Sequence, residues 1–302
     1  MHLTYIPRKP SPLGVMFKVT CCGETGILLH AELVDGKDVD RLKKYVRDHK
    51  PTTACTLRLV EHWQGTGRVV VGDAWFGSVR TVEELLAIGL YSVMNIKNGC
   101  AGFPKERIKR LVPNRGDAIF FEANVLFKKG ERTVTKPIYA AGHKDKQPLV
   151  LCASCGTSLP GEQRVRHRTK LVQGELHKSR YTLDQPQMHA MYRGKFNVVD
   201  LFNKASCQPG TLQDTWRTKK VHKRLFAASI SWIETNASLA FAKYNPTVTL
   251  TKREWYETLS EACLNNPFAP CRPRTMPTPP GHEGITQGGG GCWNTGEGWC
   301  LG

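Results

Sequence analysis

The chain has 302 residues, enough for one large domain or two of ordinary size. Hydrophobic residues make up 40% and charged residues 23%, a balance that supports a packed core and excludes global disorder. Lysine and arginine number 43 against 26 acidic residues, a formal charge of +17, which points to a polyanionic partner, most simply nucleic acid, rather than a small neutral substrate. No apolar run approaches the roughly 18–20 residues needed to span a bilayer, so no membrane partner is expected. The stretch Met1 to Pro10 has no apolar segment of the secretory-leader type. Eleven irregularly spaced cysteines suggest a reducing, intracellular compartment and free thiols.

Val15–Val19 and Ile27–Val34 are apolar runs either side of a Gly-bracketed turn, residues 22–26, and predict a β-hairpin. Val39, Leu42 and Val46 predict a short helix stopped by Pro51, and a second helix follows from Thr53 to Trp63. Arg68–Gly72 is a β-branched run suited to a strand covered on both faces. Thr81 and Glu84 have the spacing of a capping box, with Gly89 closing the helix. Tyr91–Ile96 is a further strand, so a βαβ unit is expected. Residues 100–187 read as a β-rich insertion, with strands at Ala118–Phe127, Val134–Ala140 and Leu149–Leu151. Its second half carries Arg164, Arg166, Arg168, Lys170, Lys178 and Arg180. Asn197 is placed to cap a helix over Val198–Lys204. A long amphipathic helix is predicted from Trp216 to Tyr244, its first turns carrying Arg217, Lys219, Lys220, Lys223 and Arg224. Thr251 and Glu254 form another capping box. Beyond Asn265 the composition turns to Pro and Gly, and residues 265–302 are expected to be a disordered tail.

Three acidic residues invite chemistry. Asp73 follows a buried strand, where open α/β sheets place their sites; it can hold a metal ion, act as a base, or cap the next helix. Asp200 is flanked by Val198, Val199, Leu201 and Phe202, an apolar setting in which a carboxylate needs a partner, unless it simply rides the outer face of an amphipathic helix. Glu24, in the hairpin turn, is either a third carboxylate or a solvated turn residue. Cys152 and Cys155 form a CxxC with no second pair nearby. His167, His177 and Cys207 are the remaining donors, so a structural zinc is not expected there.

The ordered blocks resemble the piggyBac-type transposases. Ile6-Pro-Arg-Lys-Pro10 followed by Gly14 is similar to the opening of that family's catalytic core. Gly72-Asp-Ala-Trp-Phe-Gly-Ser78 resembles the block with the second catalytic aspartate. Phe196-Asn-Val-Val-Asp-Leu-Phe202, with Tyr192 before it and Trp216-Arg-Thr-Lys219 after, resembles the block with the third, and Cys155–Gly161 the segment preceding it. The resemblance covers roughly residues 5–264. It implies a mixed α/β, RNase H-like core over 1–264, with a central mixed sheet flanked by helices and an insertion at about 100–187. It further implies DNA as partner, a nuclear location, and strand cutting and joining at TTAA sites through Mg²⁺ held by clustered aspartates.

The same resemblance marks departures. Cys22 stands where the family has its first aspartate, and Asn203 where many members have a further acidic residue. The chain begins almost at the first catalytic strand, so the family's N-terminal dimerisation and DNA-binding region has no counterpart and a homodimer is expected to be weakened. A soft thiol is a poor substitute for a carboxylate on Mg²⁺. Asp73 and Asp200 are therefore expected as metal ligands of an impaired, transposon-derived DNA-binding protein. Arg164, Arg166, Arg168, Arg217, Lys219, Lys220, Lys223 and Arg224 are expected to meet phosphates. The alternative is an active Mg²⁺-dependent transposase.

Overall fold

In a computed structural model of the chain, the residues described are 3–266 apart from 6, 8–12, 130, 131, 173, 217 and 219. Arg217, Lys219 and all but two residues of the 265–302 tail thus lie outside them, as does the side chain of Arg168. The chain divides into one unit ending at Thr249 and a second beginning at Leu250.

The first unit opens with a short ladder of β1 (Thr4–Tyr5) and β2 (Leu13–Gly14). The expected hairpin follows as β3 (Phe17–Cys21) and β4 (Leu28–Leu33), antiparallel, with a register shift at Thr20/Cys21. The helix expected around Val39 shrinks to α1 (Lys37–Asp40), and the next residues turn, with Tyr45 at a φ of 72°. Pro51 does not stop a helix. It starts α2 (Pro51–Leu59), where its missing N–H costs nothing and its fixed φ suits the first turn. A 3₁₀ turn, Glu61–Trp63, ends the segment.

Next come β5 (Val69–Gly72), α3 (Val79–Ala87) and β6 (Tyr91–Asn95), with β5 and β6 paired in parallel as a βαβ unit requires. α4 (Lys105–Leu111) leads to three further strands, β7 (Ala118–Lys129), β8 (Arg132–Lys144) and β9 (Pro148–Ala153). The β-rich stretch expected over 100–187 divides here. β7–β9 join the main sheet, whose order is β5-β6-β9-β8-β7, while β10 (Arg164–Val172) and β11 (Glu175–Leu183) form a two-stranded ribbon. The sheet is mixed, because β6 pairs antiparallel with β9.

Alternation along the central strands sorts the core into two layers. Met94 of β6 and Cys152 of β9 pack with Leu57, Leu85 and Leu86 from α2 and α3. Val93, Leu151 and Ala153 point the other way, against Met188 and Tyr192 of α5 (Gln187–Lys195). The chain continues through α6 (Val198–Ser206), α7 (Leu212–Thr215) and α8 (Val221–Tyr244). α8 begins five residues later than the sequence predicts, because α7 and a break at Trp216 intervene. Asn236 of α8 secures the hairpin: it accepts the Leu28 N–H at 2.8 Å and donates to the Leu28 carbonyl at 3.0 Å. Phe17 and Trp232 add an edge-to-face contact at 5.0 Å.

In the second unit, α9 (Lys252–Leu264) has the expected capping box, with Thr251 and Glu254 satisfying each other's backbone N–H groups.

Candidate functional site

Asp73 comes directly off the end of β5 into a tight turn. Its Oδ1 accepts the Trp75 N–H at 2.8 Å, and its carbonyl accepts the Gly77 N–H at 3.0 Å. It does not cap α3. That task falls to Ser78, whose Oγ accepts the Thr81 N–H at 3.1 Å. The capping box expected at Thr81 and Glu84 is therefore displaced: Thr81 lies inside the helix, buried, its hydroxyl 2.9 Å from that of Thr53. Trp75 and Phe76 meet edge to face, and Lys18 of β3 sits 3.6 Å from the centre of the Trp75 ring.

Asp200 lies in the first turn of α6 and is exposed. Its apolar sequence neighbours turn elsewhere: Phe202 is buried, and Val198 and Val199 line a second cavity. The apolar setting read from the sequence is thus a property of the helix's other face. Asn197 occupies the cap position of α6 but makes no side-chain capping bond. Asn203 is exposed on the same helix, and Ser206 Oγ donates to its carbonyl at 3.1 Å.

Asp73 and Asp200 line one open pocket of about 600 Å³, with Asn95, Tyr192, Arg193 and Phe196. The two carboxylates thus line the same pocket, from segments remote in sequence. Burial pushes the Tyr192 hydroxyl up to about 12, and the Asp73 charge adds to this against a bond with Asn95.

Cys22 and Glu24 line a different cavity, of about 720 Å³, with Val19, Val70, Met94 and Phe196. Among the described residues β3 makes no ladder with β5, and this cavity is lined from both strands. Cys22 is therefore not on a strand paired with that of Asp73. Burial opposes the Cys22 thiolate, but the Thr25 hydroxyl and the N–H groups of Thr25 and Glu24 outweigh it and hold the pKa below the ordinary cysteine value. Cys21, half-buried beside it, is pushed up to about 11 by desolvation and then by Cys22. Lys195 reaches across from α5 to donate to the Gly23 carbonyl at 2.8 Å.

Cys152 and Cys155 pack into different layers, the first with its thiol pushed up to about 12 and the second to about 11, both by burial. Among the described residues no group of three or more His, Cys, Asp or Glu side chains is arranged to hold a metal ion.

Of the expected phosphate contacts, Lys220, Lys223 and Arg224 are exposed at the start of α8, with Lys223 5.9 Å from the Trp216 ring. Arg164 and Arg166 are not free basic residues: both pair with Asp145, a residue that the sequence does not mark out. Asp145 sits between Lys144 and Lys146, and nothing in that string signals a buried carboxylate.

The family model described as Transposase IS4 matches residues 2–238 of the chain. Among solved structures, the chain is similar to a piggyBac transposase in a synaptic complex with hairpin DNA, at 17% identity and a TM-score of 0.61. The match covers 88% of this chain and 51% of the other, so the chain spans about half the length of that protein. The shared fold is the RNase H-like one, a mixed sheet with helices on both faces. No curated protein matches the chain.

Proposed function

Because the chain belongs to the Transposase IS4 family, we propose that it is a piggyBac-related, transposon-derived protein that binds DNA in the nucleus and has lost most of the strand-cutting activity of the family's enzymes. The observation that carries this reading is that Asp73 and Asp200 line one pocket. They come in the order, and from the kinds of element, that the sequence resemblance assigns to the second and third catalytic aspartates.

The donors suit a hard divalent cation of the Mg²⁺ type, since both are carboxylates and Asp200 is open to solvent. Such an ion, when bound, supplies charge stabilisation for phosphoryl transfer. Asp73 is fixed for the task by its turn, with Oδ1 held by the Trp75 N–H. The set is incomplete for two ions. At the position that the resemblance gives to the family's first aspartate stands Cys22, a soft sulfur that lines a different cavity. Without a third carboxylate, the residues present would supply less of the electrostatic preorganisation on which this chemistry depends.

A second reading, an active Mg²⁺-dependent nuclease-transposase cutting at TTAA, is favoured by Glu24, a carboxylate that lines the same cavity as Cys22. A nicking assay on supercoiled plasmid separates the two. The chain as written should give no Mg²⁺-dependent nicking and at most a trace with Mn²⁺. Cys22→Asp should raise cleavage, because it returns a carboxylate to the position that the resemblance gives to the family's first aspartate. Adding Asp73→Ala should abolish the gain. Robust Mg²⁺-dependent nicking by the unaltered chain, lost in Asp73→Ala, overturns the impaired reading.

A further inference from the structure

We infer that Asp145 and the two pocket-lining arginines paired with it, Arg164 and Arg166, form a phosphate-gripping wall for a DNA strand entering the Asp73–Asp200 pocket, with Asp145 as a positioning residue. The inference rests on the reading that this pocket takes DNA.

Asp145 occupies the turn between β8 and β9 and is only 4% exposed. Arg166 of β10 donates both Nε, at 3.0 Å, and Nη2 to its Oδ2. Arg164 Nη1 lies 3.6 Å from the same oxygen, and Arg115 Nη2 lies 3.3 Å from Oδ1. One carboxylate therefore stands against three guanidinium groups, and one negative charge cannot neutralise three positive ones. Burying an anion is costly unless it is paired, so Asp145 is held ionised by its arginines, and they by it. Its carboxyl lies below the usual range: burial opposes this, but Arg166 prevails, with Arg164 and Arg115 adding to it.

The surplus positive charge is aimed at the pocket. Asp145, Lys146, Arg164, Arg166 and Arg193 line the same cavity as Asp73 and Asp200. Burial, and then the charge of Arg166, lowers the Arg164 pKa, and Arg193 is pushed down to about 10 by burial and then by Arg164. The arginines thus repel one another, and an incoming anion would relieve them. A guanidinium carries five N–H donors in a rigid fork, and Asp145 engages only part of them. Arg115 is also placed from its other side, 5.2 Å from the Tyr181 ring. The pocket thus has a carboxylate pair at one part of its wall and fixed, under-neutralised arginines at another, an arrangement that suits a phosphodiester backbone. Encirclement by arginines also rules Asp145 out as a cation ligand.

The test is fluorescence anisotropy of the full chain with a labelled DNA duplex across a salt series, with thermal melts to check folding. The unaltered chain should bind with a steep salt dependence. Arg166→Gln should lower the log–log slope by about 0.9, one phosphate contact on duplex DNA, while Lys243→Gln, on the exposed end of α8, should leave it unchanged. Asp145→Asn is the decisive variant. If Asp145 were only a nearby negative charge, its removal would tighten binding. As a positioning residue, its removal should weaken binding several-fold and lower the slope, and Asp145→Glu should recover part of the loss. Binding by Asp145→Asn as tight as or tighter than the unaltered chain overturns the inference. Should Asp145→Asn fail to fold, an unchanged slope in Arg166→Gln overturns it alone. No binding by the unaltered chain would instead sink the DNA reading, and the wall with it.

Discussion

His143 and His189 face each other in the core, both wholly buried, with ring centroids 5.3 Å apart. Each ring uses Nε2 on a backbone carbonyl, that of Asp184 at 3.1 Å and that of Leu149 at 3.3 Å, and neither Nδ1 has a hydrogen-bond partner. A neutral ring with Nε2–H donating satisfies this geometry; a second proton would sit on a buried, unpartnered nitrogen beside another histidine. Burial first, then its neighbour His143, pushes His189 down to about 3, and burial lowers His143 too. Because both folded-state pKa values are depressed, the unfolded chain binds more protons below the ordinary histidine value of 6.5. Stability from the pair is therefore complete above pH 6.5 and falls with acidification below it, for His189 down to about pH 3. Urea midpoints measured across that window should fall with acidification, and His189→Gln should flatten the fall; equal slopes in the two proteins would refute the assignment. The residue scale also separates what a sequence can disclose from what it cannot. The places of Asp73 after a strand and of Asp200 on a late helix are legible because both are local patterns. The Asp145 cluster is not, because its partners arrive from Arg115, Arg164 and Arg166, and only the folded sheet brings those together.

At the scale of elements, the turn after β5 decides whether Asp73 can act. A Cβ placed on Gly77 would lie 1.8 Å from the Asn95 carbonyl oxygen, a backbone atom that cannot step aside. Gly77→Ala should therefore cost about 3 kcal/mol in denaturant unfolding, and the shifted turn should lower any metal affinity gained in Cys22→Asp. The hairpin depends on one side chain in a similar way. Asn236→Ala removes both bonds to Leu28 and should cost about 2 kcal/mol, read as a lower urea midpoint with an unchanged slope. β5, α3 and β6 are readable because β-branched and apolar runs flank a capped helix, but only β6 is covered as the pattern implies: β5 ends the sheet order, has no buried residue and leaves Val69 44% exposed. The cap itself moves from Thr81 to Ser78, since both positions carry a hydroxyl and only the packing of Thr81 against Thr53 decides between them. Pro51 reads as a terminator yet opens α2, because a proline marks either end of a helix in sequence and only the following backbone tells which. The placing of β7–β9 in the main sheet depends on partners in β6, a long-range pairing that no local pattern encodes.

For the whole molecule, a charge of +17 is either a solvated surface or a binding surface, and salt dependence tells them apart. The positive charge is not all alike. Arg164 and Arg166 are committed to Asp145 inside the pocket, whereas Lys220, Lys223 and Arg224 stand exposed around the start of α8, with no carboxylate among the ion pairs of the described residues. They also sit where helix electrostatics is least kind to cations, since the N-terminus of α8 already carries a partial positive charge. Three basic residues held at that end lower the helix's own stability, and a bound polyanion would relieve them. Replacing Lys220, Lys223 and Arg224 by glutamine should accordingly have two opposite effects. The free protein should melt at an equal or slightly higher temperature, by a few tenths of a kcal/mol per charge removed. Binding to duplex DNA should weaken, with the log–log salt slope falling by about 0.9 for each phosphate no longer neutralised. A solvated face would give the first effect without the second, so a triple variant with an unchanged slope would return these residues to the solvent and leave the pocket arginines as the phosphate contacts.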